Sequence, residues 1–280
     1  MTALDAIYVD SIVRSALSED VGSGDITTLL TIPDSVEATA TITAKEDGVI
    51  AGLDMARATF SAVDPSVKVL PIVRDGAQVK AGDEIVSISG KTRAILTGER
   101  VALNFLQRMS GIATLTAKYV SLVSHTKARI VDTRKTTPGL RRLEKYAVTV
   151  GGGFNHRFGL SDGILIKDNH IAAAGGVRAA VALAKKHAPH TLQIEVEVTR
   201  LSQLEEAIES GADIVLLDNM DLGLLYQAVQ LADDRITLEA SGGINESTVA
   251  EIAETGVHII SVGALTHSPR ALDLSLNIDG

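Results

Sequence analysis

From residue 129 to residue 262, short apolar runs alternate with longer segments in which apolar positions recur every three to four residues. The runs are typical of buried strands and the longer segments of amphipathic helices. The pattern predicts strands at 129–133, 163–167, 192–198, 213–217, 236–240 and 258–262, and helices at about 138–149, 171–187, 201–210, 221–232 and 246–255. Such alternation with short loops predicts a parallel sheet, closed or partly closed into a barrel. Because a complete β/α barrel has eight strands, we expect an incomplete one.

The first 124 residues follow a different pattern. Helical periodicity predicts a short amphipathic helix at 7–18 and a long helix at 97–124, which Gly111 is expected to kink or split. The stretch between them is rich in strand-forming residues and turn signals, which predicts strands at 38–44, 48–52, 67–73 and 83–90. The tail, 270–280, has no place in the later alternation, and we expect it to return to this N-terminal region.

Length and composition narrow the classes of protein. A chain of 280 residues with 45% apolar residues can hold one large α/β domain and a smaller one. The absence of Cys excludes disulfides, thiolate metal sites and a Cys nucleophile. The net charge of −9 argues against nucleic acid as a partner. No run is long enough to span a membrane and the N-terminus has no apolar signal core, so the expected location is the cytoplasm.

The charge is distributed unevenly along the chain. Residues 129–167 contain eight Lys/Arg and three Asp/Glu, a local charge of +5. Five side chains of this basic window follow strand-like runs or a glycine triplet: Arg134, Lys135, His156, Arg157 and Lys167. They are predicted to converge at the carboxyl ends of the strands on an anionic ligand that carries both carboxylate and phosphate. Four neighbours are instead expected to form a solvated helix face: Arg141, Arg142, Glu144 and Lys145.

Acidic residues mark two later strands. The period of two in 191–199 puts Glu195 and Glu197 on one face, which points inward in a barrel. Asp218 ends the next strand. A buried carboxylate needs a cationic partner, which the basic window can supply. Glu197 and Asp218 are predicted to hold Mg²⁺ through water or to stabilise a cation, and the alternative for each acid alone is a loop or cap residue.

Glycine-rich turns follow the last two predicted strands. One contains Ser241 and Gly242, and the other contains Gly263, with His267 shortly after it. Turns at this position that open onto helix N-termini form the usual phosphate site of β/α barrels. The alternative is a tight turn without a ligand.

Arg100 falls in the first turn of the helix predicted at 97–124. A cation there gains nothing from the helix dipole. The residue pattern leaves two interpretations equally open, a surface arginine and a clamp for a carboxylate.

Seven stretches together resemble the quinolinate phosphoribosyltransferase family: EDVGSGDITT (19–28), GERVALNFLQRMSGIAT (98–114), DTRKTTPGLRRLEKYAVTVGGGFNHRFGLSDGILIKDNH (132–170), EVEV (195–198), LLDNM (216–220), ASGGI (240–244) and VGALTHS (262–268). The resemblance runs nearly end to end, and its central stretch is long and specific. It implies an N-terminal α/β sandwich domain at 1–110, joined by the tail 270–280. It also implies an open, about seven-stranded β/α barrel at 111–269, and a homodimer in which Arg100 enters the partner's active site.

The resemblance further implies a role for each predicted site residue. It implies that four residues bind quinolinate: Arg100, Arg134, His156 and Arg157. Lys135 and Lys167 would lie between quinolinate and the pyrophosphate of phosphoribosyl pyrophosphate (PRPP). Glu197 and Asp218 would flank the ribose and the metal, with Glu195 as a neighbour. Four residues would form the cradle for the 5′-phosphate: Ser241, Gly242, Gly263 and His267.

The reaction implied by the resemblance is transfer of the phosphoribosyl group of PRPP to quinolinate with decarboxylation. The products are nicotinate mononucleotide, a precursor of NAD, with pyrophosphate and CO₂. Mg²⁺ is the implied metal and no organic cofactor is needed. Three alternatives remain. The first is a family relative associated with molybdenum transport, which the intact KDNH of 167–170 disfavours. The second is a class I aldolase with Lys167 as the Schiff-base lysine, and the third is a non-enzymatic anion-binding or scaffold protein.

Overall fold

The computed structural model describes residues 4–279, which divide into two compact units. The first unit contains residues 4–117, 142–152 and 268–279, and the second contains residues 118–141 and 153–267. Residues 142–152 thus belong to the first unit, whereas the domain boundaries predicted from the sequence place all of 111–269 in the barrel. No helix within 4–279 has both the length and the apolar character that crossing a membrane requires.

The order of helices and strands changes after the fourth helix. Up to residue 131 the elements are α1 (Ala6–Val21), α2 (Ile26–Thr31), β1 (Glu37–Ala44), β2 (Gly48–Val49), α3 (Leu53–Val63), β3 (Lys68–Pro71), β4 (Gln78–Val79), β5 (Glu84–Lys91), α4 (Thr92–Leu122) and β6 (Arg129–Val131). They continue with α5 (Arg141–Val150), β7 (Ile164–Ile166), α6 (Asp168–Ala174), α7 (Val177–His187), β8 (Ile194–Val198), α8 (Leu201–Ser210), β9 (Ile214–Asp218), α9 (Leu222–Ala232), β10 (Thr237–Ser241), α10 (Val249–Glu254), β11 (Ile259–Ser261), α11 (Ala264–His267) and β12 (Leu274–Ile278).

The first unit is an α/β sandwich built on a four-stranded antiparallel sheet of order β12-β1-β5-β3. Alternation along β1 turns Ile42 inward, where it is part of one apolar core with Phe60 of α3 and Leu103 of α4. β12 pairs with β1, with Leu276 opposite Ile42. The predicted return of the C-terminal tail to the N-terminal region is therefore confirmed.

Helix α4 differs from the prediction in where it begins and in the effect of Gly111. It begins at Thr92 rather than at 97, so Arg100 lies more than two turns into the helix and not in its first turn. Gly111 does not split it. A Cβ added at Gly111 would lie 2.1 Å from the carbonyl oxygen of Arg270. The glycine therefore lets the C-terminal segment pass directly against the helix.

The second unit contains a six-stranded parallel sheet of order β6-β11-β10-β9-β8-β7. Its end strands, β6 and β7, are not neighbours in that order, which makes the barrel an open one within residues 4–279. Val131 of β6 and Phe154 form an isolated parallel β-bridge, so a seventh segment of the chain lies beside β6. The predicted open β/α barrel and its six sequence-predicted strands are confirmed.

Two helix predictions in the later part of the chain were wrong in detail. The helix expected at 171–187 is two helices, α6 and α7, because Gly175 and Gly176 adopt φ values of 90° and 129° that end the first helix. The solvated face expected on α5 is also incorrect for Glu144 and Lys145, whose exposed fractions are 1% and 3%. Glu144 accepts a hydrogen bond of 2.7 Å from Arg108, which satisfies a buried carboxylate within the first unit.

Candidate active site

The second unit contains a cavity of about 740 Å³ at the carboxyl ends of its parallel strands. Eleven of the predicted site residues line it: Arg134, Lys135, His156, Arg157, Lys167, Glu197, Asp218, Ser241, Gly242, Gly263 and His267. The short loops of a β/α sheet bring together side chains that are far apart in the sequence. Arg100 belongs to the first unit and is exposed.

The buried carboxylate of Asp132 organises the segment after the glycine triplet. Its Oδ1 accepts the backbone N–H of His156 at 2.9 Å, and its Oδ2 accepts the amide of Asn155 at 2.6 Å. The backbone N–H of Arg157 then donates to Nδ1 of His156 at 2.7 Å. Asp132 directly follows β6, so these hydrogen bonds tie His156 and Arg157 to the end of a barrel strand.

Two guanidinium groups lie in the cavity with buried nitrogen atoms that are unsatisfied. Nε of Arg134 and Nε of Arg157 have no hydrogen-bond partner among the described residues. Burial, and then the positive charge of Arg134, lower the pKa of Arg157, while Glu195 and Asp162 act in the opposite direction. Unsatisfied buried donors carry a free-energy cost that an anionic ligand would remove. This pair of arginines is therefore suited to binding carboxylates.

Lys167 and Glu197 form an ion pair across neighbouring strands of the sheet. Lys167 directly follows β7, and its backbone N–H donates to Nδ1 of His170 at 3.0 Å, where α6 begins. The final His of the KDNH stretch therefore caps a helix next to the site. Glu197 points inward from β8, as the period of two predicted, with Lys167 as its cationic partner.

The end of β9 is held by Asn219, which the sequence-predicted site did not include. Asn219 adopts a left-handed φ of 53°, and its backbone N–H donates to the carbonyl of Ser241 at 2.9 Å. Its side-chain amide donates to Oδ2 of Asp218 at 2.9 Å. A Cβ added at Gly242 would lie 2.2 Å from the Asn219 side chain. Glycine at 242 therefore leaves room for the group that orients Asp218.

Lys135 and the turn after β11 pack closely against each other. The hydroxyl of Thr266 donates to the carbonyl of Lys135 at 2.8 Å. A Cβ added at Gly263 would lie 3.2 Å from both the Lys135 and the His267 side chains. The absence of a side chain at 263 thus allows Lys135 and His267 to reach the same corner of the cavity.

Glu239 is the clearest functional candidate that the sequence analysis missed. It is 2% exposed, and its Oε1 lies 3.8 Å from Nε2 of His156. Burial, and then the nearby Glu195 carboxylate, raise the pKa of Glu239 to about 7, while His156, Ser261 and Lys167 act in the opposite direction. The signal was present in β10, where Thr237, Glu239 and Ser241 alternate with apolar residues as Glu195 and Glu197 do in β8.

Comparison with known proteins agrees with this geometry. Two family models match, the quinolinate phosphoribosyl transferase N-terminal domain at 25–110 and its C-terminal domain at 112–277. A probable nicotinate-nucleotide pyrophosphorylase [carboxylating] of Bacillus subtilis is 45% identical over 275 residues, which cover 98% of this chain and 95% of that protein.

Solved structures show the same similarity over the whole fold. NadC from Streptococcus pyogenes is 44% identical with a TM-score of 0.96, and the match covers 100% of both chains. The nicotinate-nucleotide pyrophosphorylase from Francisella tularensis is 42% identical with a TM-score of 0.94, over 99% of this chain and 98% of that one. Taken with the matches to both domain models, these similarities show that the chain belongs to the quinolinate phosphoribosyltransferase family.

Proposed function

We propose that the chain transfers the phosphoribosyl group of PRPP to quinolinate and releases pyrophosphate and CO₂, giving nicotinate mononucleotide for NAD biosynthesis. The observation that carries this proposal is the pair of buried, unsatisfied guanidinium nitrogens of Arg134 and Arg157 in a cavity that also contains Lys135 and Lys167. Family membership points the same way. Quinolinate has two carboxylates and PRPP three phosphate groups, so both ligands suit a site of this charge.

In this proposal the cationic side chains divide between the two substrates. Arg134 and Arg157 bind the carboxylates of quinolinate, because guanidinium groups match carboxylates in a bidentate manner. Lys135 and Lys167 lie between quinolinate and the pyrophosphate of PRPP. The 5′-phosphate binds at the two glycine-rich turns, with the following residues: Ser241, Gly242, Gly263 and His267.

The carboxylates of Glu197 and Asp218 act at the ribose. The pyridine nitrogen attacks C1 as the bond to pyrophosphate breaks, and positive charge on the ribose rises towards the transition state. Negative charge placed beside the ribose stabilises this oxocarbenium-like state. The pyridinium formed then accepts the electron pair released when the 2-carboxylate leaves as CO₂, and C2 takes up a proton.

Mg²⁺ is proposed as the metal, bound with PRPP. Glu197 and Asp218 lie on neighbouring strands, and Leu216 is level with Glu197 and precedes Asp218 by two residues, so both carboxylates share one face. One or two carboxylates, with water and substrate phosphate, are the usual ligands of Mg²⁺, and these two acids fit that role. The metal would neutralise charge on the pyrophosphate.

We also propose a homodimer in which the partner subunit's Arg100 completes the quinolinate site. Two observations support this part of the proposal: Arg100 is exposed and lies in the first unit, whereas all eleven cavity residues named above lie in the second. A twofold dimer can supply such a residue reciprocally to both sites. The cytoplasmic location and the absence of a nucleic-acid partner stay predictions from composition.

The direct test is to incubate the protein with quinolinate, PRPP and Mg²⁺ and to identify the nucleotide product by mass spectrometry. We expect nicotinate mononucleotide to form with quinolinate, and little or none with nicotinate, which lacks the 2-carboxylate. Formation of nicotinate mononucleotide from nicotinate alone would contradict the proposed substrate. No nucleotide from either acid would contradict the activity.

The aldolase alternative makes a different prediction about Lys167. A Schiff-base lysine must lose its proton to attack a carbonyl, whereas Lys167 is held in an ion pair with Glu197. Borohydride reduction in the presence of a carbonyl substrate is therefore expected to leave Lys167 unmodified. A covalent adduct on Lys167 would favour the aldolase.

A further inference from the structure

A buried cluster of three ionisable side chains lies inside the barrel beside the arginine pair. Nε2 of His156 is 3.1 Å from Oε2 of Glu195 and 3.8 Å from Oε1 of Glu239. The side chains are 13%, 7% and 3% exposed for His156, Glu195 and Glu239. Oε1 of each glutamate has no hydrogen-bond partner among the described residues. Two buried carboxylates without full partners need a cation or a proton nearby.

The hydrogen bonds of His156 favour a proton over a metal ion. The backbone N–H of Arg157 donates to Nδ1 of His156, so Nδ1 acts as an acceptor. A neutral imidazole that accepts at Nδ1 carries its proton on Nε2. Nε2 then donates to Glu195 and has no lone pair for a metal. The cluster has the residue types of a metal site, but these contacts match the tautomer whose Nε2 has no lone pair for a metal.

We infer that Glu195 is a positioning residue that orients Arg157 through the imidazole of His156, an inference that rests on the proposed function. Glu195 holds Nε2 of the ring, and Nδ1 of the ring holds the peptide N–H of Arg157. From the other side, Asp132 accepts the peptide N–H of His156 at 2.9 Å. His156 is thus fixed at both ends between β6 and β8. Both ring nitrogens contact groups of the protein, so the ring can transmit the position of Glu195 to the peptide of Arg157.

The Arg157 side chain is fixed beyond this link as well. Its Nη1 donates to the carbonyl of Gly163 at 3.1 Å, and a Cβ added at Gly163 would lie 3.0 Å from Cβ of Arg157. The peptide of Arg157 is therefore set by His156 and the guanidinium by the Gly163 carbonyl. Nε of Arg157 is buried and has no hydrogen-bond partner among the described residues, so it can donate to a bound ligand. Loss of the acceptor at 195 would release the ring and, with it, the peptide of Arg157.

A matched pair of variants separates this role from a merely structural one. Glu195→Met removes the acceptor and keeps a side chain of similar length, whereas Glu195→Gln keeps an acceptor oxygen. Both remove the same buried carboxylate, so any general cost of losing its charge is common to the two variants, and circular dichroism must show that each is folded before binding is measured. By calorimetry we expect Glu195→Met to weaken quinolinate binding about tenfold or more and Glu195→Gln to change it by less than about threefold. PRPP binding should be unchanged in both, as should both affinities in Glu251→Gln, a control at an exposed carboxylate.

The quinolinate affinities of the two variants test the positioning role of Glu195, and the quinolinate affinity of the wild-type protein tests the proposed function. Equal losses of quinolinate affinity in Glu195→Met and Glu195→Gln would overturn the positioning role, as would normal affinity in Glu195→Met. A wild-type protein that binds no quinolinate would instead contradict the proposed function.

A second measurement needs no substrate. Long-range ¹H–¹⁵N correlation spectra of protein labelled with ¹⁵N-histidine report which ring nitrogen carries the proton, and His156→Gln assigns the signals. We expect a neutral ring with the proton on Nε2 in wild type and in Glu195→Gln, a changed signal in Glu195→Met, and no response to Zn²⁺ or Mg²⁺. A proton on Nδ1, or loss of the Nε2 proton when Zn²⁺ is added, would overturn the inference.

Discussion

Arg157 is a cation in surroundings that disfavour its charge. Burial and the nearby Arg134 lower its pKa, and only Glu195 and Asp162 act in the opposite direction. Nε of Arg134 is buried without a partner as well. A dianionic ligand placed between the two guanidinium groups would reduce their repulsion and satisfy both nitrogens. The free protein therefore carries a local free-energy cost that ligand binding removes.

Arg134→Ala and Arg157→Ala are each expected to weaken quinolinate binding far more than PRPP binding. A charged hydrogen bond contributes about 1.5–3 kcal/mol, which corresponds to a loss of affinity of roughly 10- to 150-fold. Calorimetry with each substrate measures both affinities. Arg178→Ala is the control, because that arginine is exposed and pairs with Glu209 on the surface of the same unit. Unchanged quinolinate affinity in both cavity variants would remove these residues from the carboxylate site.

Glu239 gives the stability of the protein a predictable dependence on pH. Its pKa is raised from 4.5 to about 7 by burial and by Glu195, so between these values the folded chain keeps a proton that the unfolded chain releases. The native state binds more protons there, and stability falls as pH rises through this window. The contribution is on the order of 1 kcal/mol per pKa unit.

Glu239→Gln removes this titration and keeps hydrogen-bonding atoms in place. Urea unfolding at pH 5 and pH 8 should show the variant gaining stability relative to wild type as the pH rises. The groups that face Glu239 are unchanged in the variant, which makes the comparison specific: Glu195, His156, Ser261 and Lys167. A stability difference that is the same at both pH values would contradict the raised pKa.

The strands of the barrel were predictable because each is either a short apolar run or an alternation of apolar and polar residues, with polar residues at its carboxyl end. The contacts that need three dimensions were not. Nothing local in the sequence shows that Glu144 meets Arg108, 36 residues earlier, and so becomes buried. Glu239 was missed for a different reason: its alternation with apolar residues was visible, but its partner His156 lies 83 positions away in the numbering. Residue types and spacing therefore predicted most of the cavity lining, and long-range pairing determined the rest.

The turn after β10 depends on two glycines that differ in their surroundings. Both have positive φ values, 94° at Gly242 and 64° at Gly243. A Cβ at Gly242 would collide with the side chain of Asn219, whereas a Cβ at Gly243 would meet nothing within 4 Å. Asn219 in turn donates to Asp218. Only the first glycine is therefore linked by packing to the proposed ribose-binding acid.

Gly242→Ala is expected to raise the KM for PRPP by about tenfold or more, and Gly243→Ala by less than about threefold, since about 1.4 kcal/mol corresponds to a factor of ten. The displaced Asn219 would no longer orient Asp218. Steady-state kinetics with varied PRPP provide the measurement, and circular dichroism shows that both variants are folded. Equal effects of the two substitutions would mean that backbone strain, and not the contact with Asn219, determines the outcome.

At the scale of the whole molecule, the predicted site residues are divided between the two compact units. Eleven of them line one cavity in the second unit, while Arg100 lies on α4 in the first. Exposure on a long helix is equally consistent with an ordinary surface arginine. The sequence alone left this interpretation and that of a carboxylate clamp both open. If each subunit of a twofold dimer contributes Arg100 to the other subunit's site, two inactive variants should complement each other. A simple surface arginine would not lead to this prediction.

Arg100→Ala and Lys135→Ala are each expected to be nearly inactive, and a mixture of the two should recover activity. A heterodimer then holds one site without either residue and one site with both intact. Each variant must first be shown by ultracentrifugation to be dimeric, and subunit exchange must be confirmed with differently tagged chains. Confirmed heterodimers that stay inactive would show that Arg100 does not act across the interface.

The most direct test of the proposed reaction is its stoichiometry. Wild-type protein with Mg²⁺, PRPP and quinolinate labelled with ¹³C in the 2-carboxylate should release labelled CO₂, pyrophosphate and nicotinate mononucleotide in equal molar amounts. Arg134→Ala at the same substrate concentrations should form all three more slowly and in the same ratio. A nucleotide product that retains the labelled carboxylate, or pyrophosphate released without nicotinate mononucleotide, would contradict the assignment of phosphoribosyl transfer with decarboxylation to this cavity.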